Sequence, residues 1–254
     1  MPRPISPTLP EVHRSLDVPA HRGFWGKMIA FAGPGYLVAV GYMDPGNWAT
    51  DLAGGSKYNY TLLSVILLSS IMAMFLQYLS LKLGIATGKD LAQTCRQHYG
   101  PRAAVPLWLA AEIGIAACDL AEVVGAAIAL NLLFHLPLLV GVLTTTLDVL
   151  LLLLLQQKGF RYIEAIVITL IATIAACFGL EILFSKPEIV PILKGFLPTP
   201  SIITDPGMLF IAIGIIGATV MPHNLYLHSS IVQTRRYPLD TVGKREAIRF
   251  ATLD

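Results

Sequence analysis

Two apolar stretches of this chain are interrupted in the middle by helix-breaking tetrapeptides that carry polar side chains. Residues 44–47 read DPGN, and residues 221–224 read MPHN. Proline and glycine leave backbone polar groups without their helical hydrogen bonds, and hydrocarbon offers these groups no partner. A broken span therefore persists only inside a helix bundle or beside a water-filled cavity. A matched pair of such breaks is the sequence feature that best indicates the binding site of a membrane transporter.

The composition places the chain in a membrane. Hydrophobic residues make up 55% and charged residues 13% of the 254 residues, whereas about 25% of an ordinary soluble domain is charged. Crossing the bilayer takes about 20 apolar residues, and six runs predict spans near residues 28–52, 60–83, 104–133, 137–156, 162–184 and 208–232. We therefore predict an all-α integral membrane protein with a tail at 1–27, a six-span domain at 28–232 and a C-terminal segment at 233–254.

The basic residues fall mainly on one side of the predicted spans. Of the 18 Lys and Arg residues, all but Lys57, Lys186 and Lys194 lie in the two tails or in the second and fourth connections. The positive-inside rule then predicts that both termini are cytoplasmic. We expect a multi-pass protein of the plasma membrane, and short tails without a targeting signal fit a bacterial inner membrane. The net charge of +2 and the dispersed basic residues indicate no nucleic-acid partner.

Two proline-rich stretches outside the spans are predicted to lack regular structure. The tail, residues 1–27, has no apolar core and is predicted to be flexible. The connection near residues 185–207 is predicted to be an extended loop because it contains Pro187, Pro191, Pro198 and Pro200.

The first break gathers oxygen donors. A carboxylate such as that of Asp44 inside a span costs about 2.5–3.5 kcal/mol on insertion scales, so it needs a partner. Asn47 follows three residues later, and unwinding at the Pro-Gly pair turns carbonyls such as that of Gly41 into the gap. Carboxylate, amide and carbonyl oxygens together suit a hard or borderline cation. The alternative is a proline kink beside a water-filled pocket with no ligand role.

The second break adds a softer donor. The thioether of Met221 binds Mn, Fe or Cu better than Mg or Ca, so this donor set is predicted to select a transition metal. Taken alone, Met221 also fits a plain apolar contact, and its place at the second break favours the ligand role. The two broken spans are the first and the sixth, so they run in opposite directions. This is the pattern of an inverted repeat of five helices whose broken members meet at the midplane.

Three motifs together resemble the Nramp family of proton-coupled divalent metal transporters. They are DPGN at 44–47, DLAE at 119–122 and ATVMPHN at 218–224, and the resemblance extends over almost the whole chain. It implies a LeuT-type inverted-repeat fold with discontinuous helices 1 and 6. The transported ions that it implies are Mn²⁺ and Fe²⁺, with no further cofactor. The implied ligands are the side chains of Asp44, Asn47 and Met221 and the carbonyl oxygens of Gly41 and Ala218.

A proton pathway is predicted beside the metal site. Glu112, Asp119 and Glu122 share one face of the third span at 100° per residue, and an acidic stripe inside a membrane is a functional hypothesis by default. The resemblance assigns Asp119 and Glu122 to proton movement, and a structural network paired with Arg residues of further spans is the alternative. His223 and His228 are candidates to pass protons because unperturbed His titrates near pH 6.5; alternatively each is a helix-packing donor.

The predicted function is therefore proton-coupled import of Mn²⁺ or Fe²⁺ by alternating access, and not enzymatic catalysis. Asp44 is expected to hold a proton when the site is empty and to release it toward Glu122 and Asp119 when metal binds. Two alternatives stay open: a LeuT-type cation-coupled symporter of an organic solute, and a non-transporting truncated homologue. Because relatives have ten core spans or more, the resemblance also implies a missing C-terminal half as a partner.

Overall fold

The computed structural model describes residues 8–10, 12–18, 23–31, 33–156 and 160–254. In this part of the chain the regular structure is helical apart from two short strands, β1 (Leu16–Asp17) and β2 (Arg235–Arg236). A 3₁₀ turn, Val232–Thr234, precedes β2. The helices, in chain order, are α1 (Phe24–Phe31), α2 (Pro34–Gly41), α3 (Pro45–Tyr58), α4 (Leu63–Thr87), α5 (Leu91–Phe134), α6 (Leu138–Gln156), α7 (Phe160–Ser185), α8 (Ile189–Gly195), α9 (Ser201–Thr204), α10 (Pro206–Thr219), α11 (Pro222–Ile231) and α12 (Thr241–Leu253).

Several of these helices have the length and composition of membrane spans. Among the described residues, four stretches are long and apolar enough to cross a bilayer: Leu63–Thr87, Leu91–Phe134, Ile166–Ser185 and Pro206–Thr234. A shorter apolar stretch covers Leu138–Leu147. The division of the chain into a tail, six spans and a C-terminal segment remains a prediction.

Both predicted helix breaks are present. α2 ends at Gly41 and α3 begins at Pro45, and α10 ends at Thr219 while α11 begins at Pro222. Proline suits the first position of a helix because its missing N–H would have no intrahelical partner there. Between α10 and α11, Val220 has φ −94° and ψ 74°, outside the helical region. The first and sixth predicted spans are therefore discontinuous.

The long helix α5 also contains a break. Gly100 has φ 69° and ψ 175°, a conformation that favours glycine, and Pro101 follows it directly. The apolar part of α5, which corresponds to the third predicted span, begins after this break.

The chain forms two compact units, of which the first comprises residues 1–39, 74–115 and 222–254. In this unit α1 packs against α12. The rings of Phe31 and Phe250 stack with their centroids 5.8 Å apart, and the Lys27 ammonium pairs with Glu246 at 2.5 Å. β1 pairs in parallel with β2. Part of the predicted N-terminal tail is therefore ordered as a strand.

The second unit comprises residues 40–73 and 116–221. Its apolar core joins α3, the start of α4, α9 and α10, and its buried members are Leu62, Val65, Ile202, Met208, Ala212 and Ile215. α5 and α6 approach closely in this unit, since a Cβ added to Gly141 would lie 2.9 Å from the Cα of Ala127.

The connection at 185–207 differs from the extended loop that its prolines predict. It contains the short helices α8 and α9. A Cβ added to Gly195, the last residue of α8, would lie 2.9 Å from the Cβ of Tyr60. Pro191 lies within the first turn of α8 and Pro200 immediately precedes α9. These are positions where a missing N–H breaks no helical hydrogen bond, so the prolines start helices here instead of preventing them.

Candidate metal site

The first break forms a hydrogen-bonded cluster around the carboxylate of Asp44, which caps the start of α3. The backbone N–H of Asn47 donates to Asp44 Oδ1 at 2.5 Å, and the side-chain Nδ2 of Asn47 donates to Asp44 Oδ2 at 2.9 Å. Nδ2 also donates to the carbonyl oxygen of Tyr42 at 3.3 Å. Asp44 and Asn47 are each 8% exposed. Because the cluster uses the NH₂ group of Asn47, its amide oxygen remains for a cation.

The second break buries the predicted sulfur donor. Met221 lies between α10 and α11 and is 1% exposed. The end of α10 is tied to α4, because the hydroxyls of Ser69 and Thr219 are 3.3 Å apart and Ser69 donates. Thr219 in turn donates to the carbonyl of Ile215 at 2.7 Å. The segment that carries Met221 is therefore held at its N-terminal side.

The two breaks share one backbone property. In a continuous helix the carbonyl of residue i accepts from the N–H of residue i+4. Pro45 stands four residues after Gly41, and Pro222 stands four residues after Ala218. Since proline has no N–H, neither carbonyl can make its i+4 helical hydrogen bond. These are the two carbonyls that the family resemblance implies as ligands.

The two helices that carry these donors pack against each other in opposite directions. A Cβ added to Gly54 of α3 would lie 3.5 Å from the side chain of Ile211 of α10. Four residues earlier in α3, the side chain of Thr50 would lie 3.4 Å from a Cβ added to Gly214 of α10. Residue numbers thus fall along α3 as they rise along α10. The same register, continued, brings the start of α3 to the end of α10.

Helix α5 passes directly beside the first break. A Cβ added to Gly46 would lie 3.2 Å from the Cβ of Ala121, and one added to Gly125 would lie 2.8 Å from the Cβ of Pro45. Glu122 lies between these contacts in sequence, and the charges of Asp44 and Asp119 both act on it. The structure therefore brings Glu122 and Asp119 into electrostatic range of one another beside the break, with Glu122 half-buried and Asp119 exposed.

Gly125 was not among the residues predicted from the sequence. Its signal was its position three residues after Glu122, which places a residue without a side chain on the same part of α5 as the acidic group. In an apolar helix, such a glycine allows another helix to approach closely.

The other predicted proton-pathway residues lie in the first compact unit. Glu112 is exposed and accepts a hydrogen bond from Trp108 Nε1 at 2.9 Å. His228 is buried, and its Nδ1 lies 2.8 Å from Gln77 Oε1. The Nδ1 of His223 is buried without a hydrogen-bond partner among the described residues. Gln77 was also missed, and its signal was a lone amide within the apolar helix α4.

The described part of the chain contains no convergent group of three or more His, Cys, Asp or Glu side chains. The set that the sequence analysis predicted, formed by Asp44, Asn47, Met221 and the carbonyls of Gly41 and Ala218, contains one side chain of these four types.

The sequence is similar to a known family and to many of its members. A family model described as Nramp, natural resistance-associated macrophage protein-like, matches residues 35–254. The chain is 63% identical over 248 residues to the divalent metal cation transporter MntH of Nostoc sp., covering 98% of this chain and 56% of that protein. A protein of the same name from Listeria innocua is 59% identical over 249 residues, with coverages of 98% and 56%. The chain thus spans a little over half the length of these relatives.

Solved structures of a manganese transporter from Eremococcus coleocola have the same fold over this chain. The structure in complex with an aromatic bis-isothiourea substituted compound is 46% identical, with a TM-score of 0.81, and the match covers 97% of this chain and 51% of that one. A point mutant of the same transporter is 44% identical with a TM-score of 0.81 and the same coverages.

Proposed function

Because the chain belongs to the Nramp family, we propose that it forms part of a proton-coupled importer of divalent transition-metal ions such as Mn²⁺ and Fe²⁺. The family assignment confirms two predictions: the membrane fold of apolar helices, and membership of a transporter family instead of an enzyme family. The chain spans 56% of the length of its first relatives, so the activity of the whole protein is part of the proposal, together with a further half of the transporter as partner.

The observation that carries the proposal is the matched chemistry of the two breaks. Each break leaves one carbonyl without a helical partner, at Gly41 and at Ala218, and each holds a buried donor side chain nearby. The antiparallel packing of α3 on α10 supports a single site at their adjoining ends. There, carboxylate, amide, carbonyl and thioether donors would surround one ion.

This donor set favours a transition metal over Mg²⁺ and Ca²⁺. Both of those hard ions prefer sites made of oxygen alone, whereas the sulfur of Met221 is a soft ligand. The one carboxylate of the set, Asp44, would neutralise part of the charge of a divalent ion.

Proton coupling is proposed from the position of α5. A metal ion needs Asp44 ionised, so binding releases any proton that the carboxylate holds. Glu122 and Asp119 form the adjacent acidic route for that proton, and the contact of Gly125 with Pro45 fixes α5 beside the break. We assign His223, His228 and Glu112 to the same route as secondary candidates.

The proposed direction of transport follows from the membrane potential. In a bacterial cell, an inside-negative potential favours inward movement of cations by about 2.3 kcal/mol per charge per 100 mV. Rocking of the broken helices against the rest of the bundle would expose the site to each side in turn.

Metal binding by two variants tests the proposal. Mn²⁺ is titrated calorimetrically into the purified chain, the Asp44→Ala variant and the Glu181→Ala variant, whose altered residue is an exposed carboxylate on α7. We expect Asp44→Ala to weaken Mn²⁺ binding by more than about a hundredfold, since even outer partners of a metal site contribute 10–100-fold. Glu181→Ala should bind as the unaltered chain does. Retention of Mn²⁺ affinity by Asp44→Ala, or no binding by the unaltered chain, would contradict the proposal, and uptake of an organic solute instead would favour the symporter alternative.

A further inference from the structure

The first compact unit contains a basic pocket that the metal site does not use. Its volume is about 270 Å³, and its lining includes His13, Arg14, Gln233, Arg235 and Lys244. A water molecule occupies about 30 Å³ in the liquid. The pocket therefore has room for a polyatomic ion with several waters.

The pocket is assembled from distant parts of the sequence. The parallel pairing of β1 with β2 brings the N-terminal tail to the segment that follows α11. The N–H of Arg14 donates to the carbonyl of Gln233 at 2.9 Å, and the exposed pair of Asp17 and Arg236, 3.0 Å apart, adds to the same joint. Lys244 comes from the first turn of α12. The positions of Arg14 and Arg235 are thus set by hydrogen bonds between backbone segments as well as by contacts of their side chains.

The positive charges at two of these positions are not neutralised. Arg14 donates to the carbonyl oxygen of Tyr237 at 2.9 Å, and Lys244 Nζ donates to the carbonyl oxygen of Ala86 at 2.8 Å. Carbonyl oxygens carry no formal charge. Within the described ranges, neither Arg14 nor Lys244 forms an ion pair.

The third cation, Arg235, is 4% exposed. Its charge acts on the carboxylate of Asp254, which is not among the residues that line the pocket. The described lining contains Arg14, Arg235 and Lys244 and no carboxylate, so it carries a net positive charge.

Two polar atoms of the lining also lack partners. The Nδ1 of His13 and the Oε1 of Gln233 are buried without a hydrogen bond to any described residue. Leaving such an atom unsatisfied costs about 1–3 kcal/mol, which a bound ligand or its waters would remove.

We propose that this pocket binds an oxyanion of the phosphate type. Guanidinium and ammonium groups converge on it, and Arg14 offers the planar fork that pairs with two oxygens of a phosphate. The buried His13 nitrogen adds a neutral hydrogen-bonding group. Gln233 Oε1 is an acceptor, and its Nε2 already donates to Ser229, so Gln233 would contact a water of the bound anion and not the anion itself. The same chemistry is presented by inorganic phosphate and by the headgroup of an anionic phospholipid. A bound anion would cross-link the tail to the segment after α11 and stabilise the pairing of β1 with β2.

The test measures anion binding by the full chain in nanodiscs. In one arm, inorganic phosphate is titrated into nanodiscs of neutral phosphatidylcholine, with chloride at equal ionic strength as reference. In the other arm, native mass spectrometry counts the phosphatidylglycerol molecules retained from mixed nanodiscs. The variants are Arg14→Gln and Lys244→Gln, with Arg14→Lys to keep the charge. Arg249→Gln is the matched control because it removes an exposed cation of α12 that does not line the pocket.

We expect Arg14→Gln and Lys244→Gln each to weaken binding at least about tenfold, as for the loss of one charged hydrogen bond. Arg14→Lys should retain most of the binding, and Arg249→Gln all of it. A loss seen only with phosphate identifies a free anion as the ligand, and a loss seen only with phosphatidylglycerol identifies a lipid headgroup. Absence of binding in both arms, or an equal loss in Arg249→Gln, would overturn the proposal.

Discussion

Gly125 of α5 lies so close to Pro45, the first residue of α3, that an added Cβ would fall 2.8 Å from the Cβ of the proline. Only a residue without a side chain allows this approach. The contact holds the acidic helix α5 beside the broken helix that carries Asp44 and Asn47. It therefore links the proposed proton route to the proposed metal site through backbone packing alone.

Replacing Gly125 with alanine should push α5 away from the first break. We expect Gly125→Ala to destabilise the protein by about 1–3 kcal/mol, the usual consequence of overpacking, and to weaken Mn²⁺ binding as well. The measurement is thermal unfolding in detergent together with a Mn²⁺ titration.

The control for this substitution is Gly179→Ala on α7. A Cβ added to Gly179 meets nothing within 4 Å, so this variant should be as stable as the original or slightly more so, given the better helix propensity of alanine. Equal effects at the two positions would show that the contact with Pro45 is unimportant.

Met221→Leu should alter metal selectivity while preserving the volume of the side chain. The substitution removes the sulfur donor but usually costs less than about 1.5 kcal/mol in packing. We expect weaker Mn²⁺ binding and stronger competition by Ca²⁺ and Mg²⁺ in a competition titration. Met208→Leu, within the buried core of α10, is the matched control and should leave selectivity as it was. Unchanged selectivity in Met221→Leu would assign Met221 to packing.

Glu122→Gln should impair proton movement more than metal binding. The amide has the shape of the carboxylate but cannot accept a proton, so we expect metal-driven proton flux into vesicles to fall at least about tenfold. Mn²⁺ affinity should change much less. Glu181→Gln, an exposed position on α7, serves as control. A loss of affinity without a loss of coupling would mean that Glu122 supports the metal site directly.

Tyr237 should make stability depend on pH in the alkaline range. Burial raises its pKa from 10.0 to about 12, and the Arg14 charge acts in the opposite direction. The unfolded chain therefore loses the phenol proton at lower pH than the folded one, so stability falls as pH rises from about 10 to about 12. At 1.36 kcal/mol per unit, the contribution of Tyr237 is about 2–3 kcal/mol.

The measurement for Tyr237 is the free energy of unfolding across that pH range. Tyr237→Phe should flatten the alkaline decline relative to the unaltered chain. Tyr99→Phe, at a position that is 57% exposed, should leave it in place. Identical pH profiles for Tyr237→Phe and the unaltered chain would refute the assignment.

The sequence predicted the features that depend on local chemistry. Proline and glycine determine where a helix can end, so both breaks are where the motifs at 44–47 and 221–224 indicated. The clustering of Asp44 with Asn47 was also predictable, because the two residues are three apart and meet across the start of α3. The role of these residues as metal ligands stays a prediction.

The remaining features depend on contacts between distant parts of the chain. Nothing local identifies Gln77 as the partner of His228, or Pro45 as the neighbour of Gly125. The pairing of Leu16 with Arg235 is likewise non-local. Nothing in the proline-rich tail itself indicated this pairing, so the tail was predicted to be flexible. The connection at 185–207 was predicted to be an extended loop from its number of prolines alone. That prediction was wrong because a proline at the start of a helix favours helical structure.

We propose that the two broken helices hold one metal ion between Asp44 and Met221. An anomalous difference map tests this directly, from crystals of the protein soaked with Mn²⁺ and measured at the manganese absorption edge. We predict one peak within bonding distance of both the Asp44 carboxylate and the Met221 sulfur. A peak that contacts neither residue, or only one of them, would rule out a site shared by the two helices.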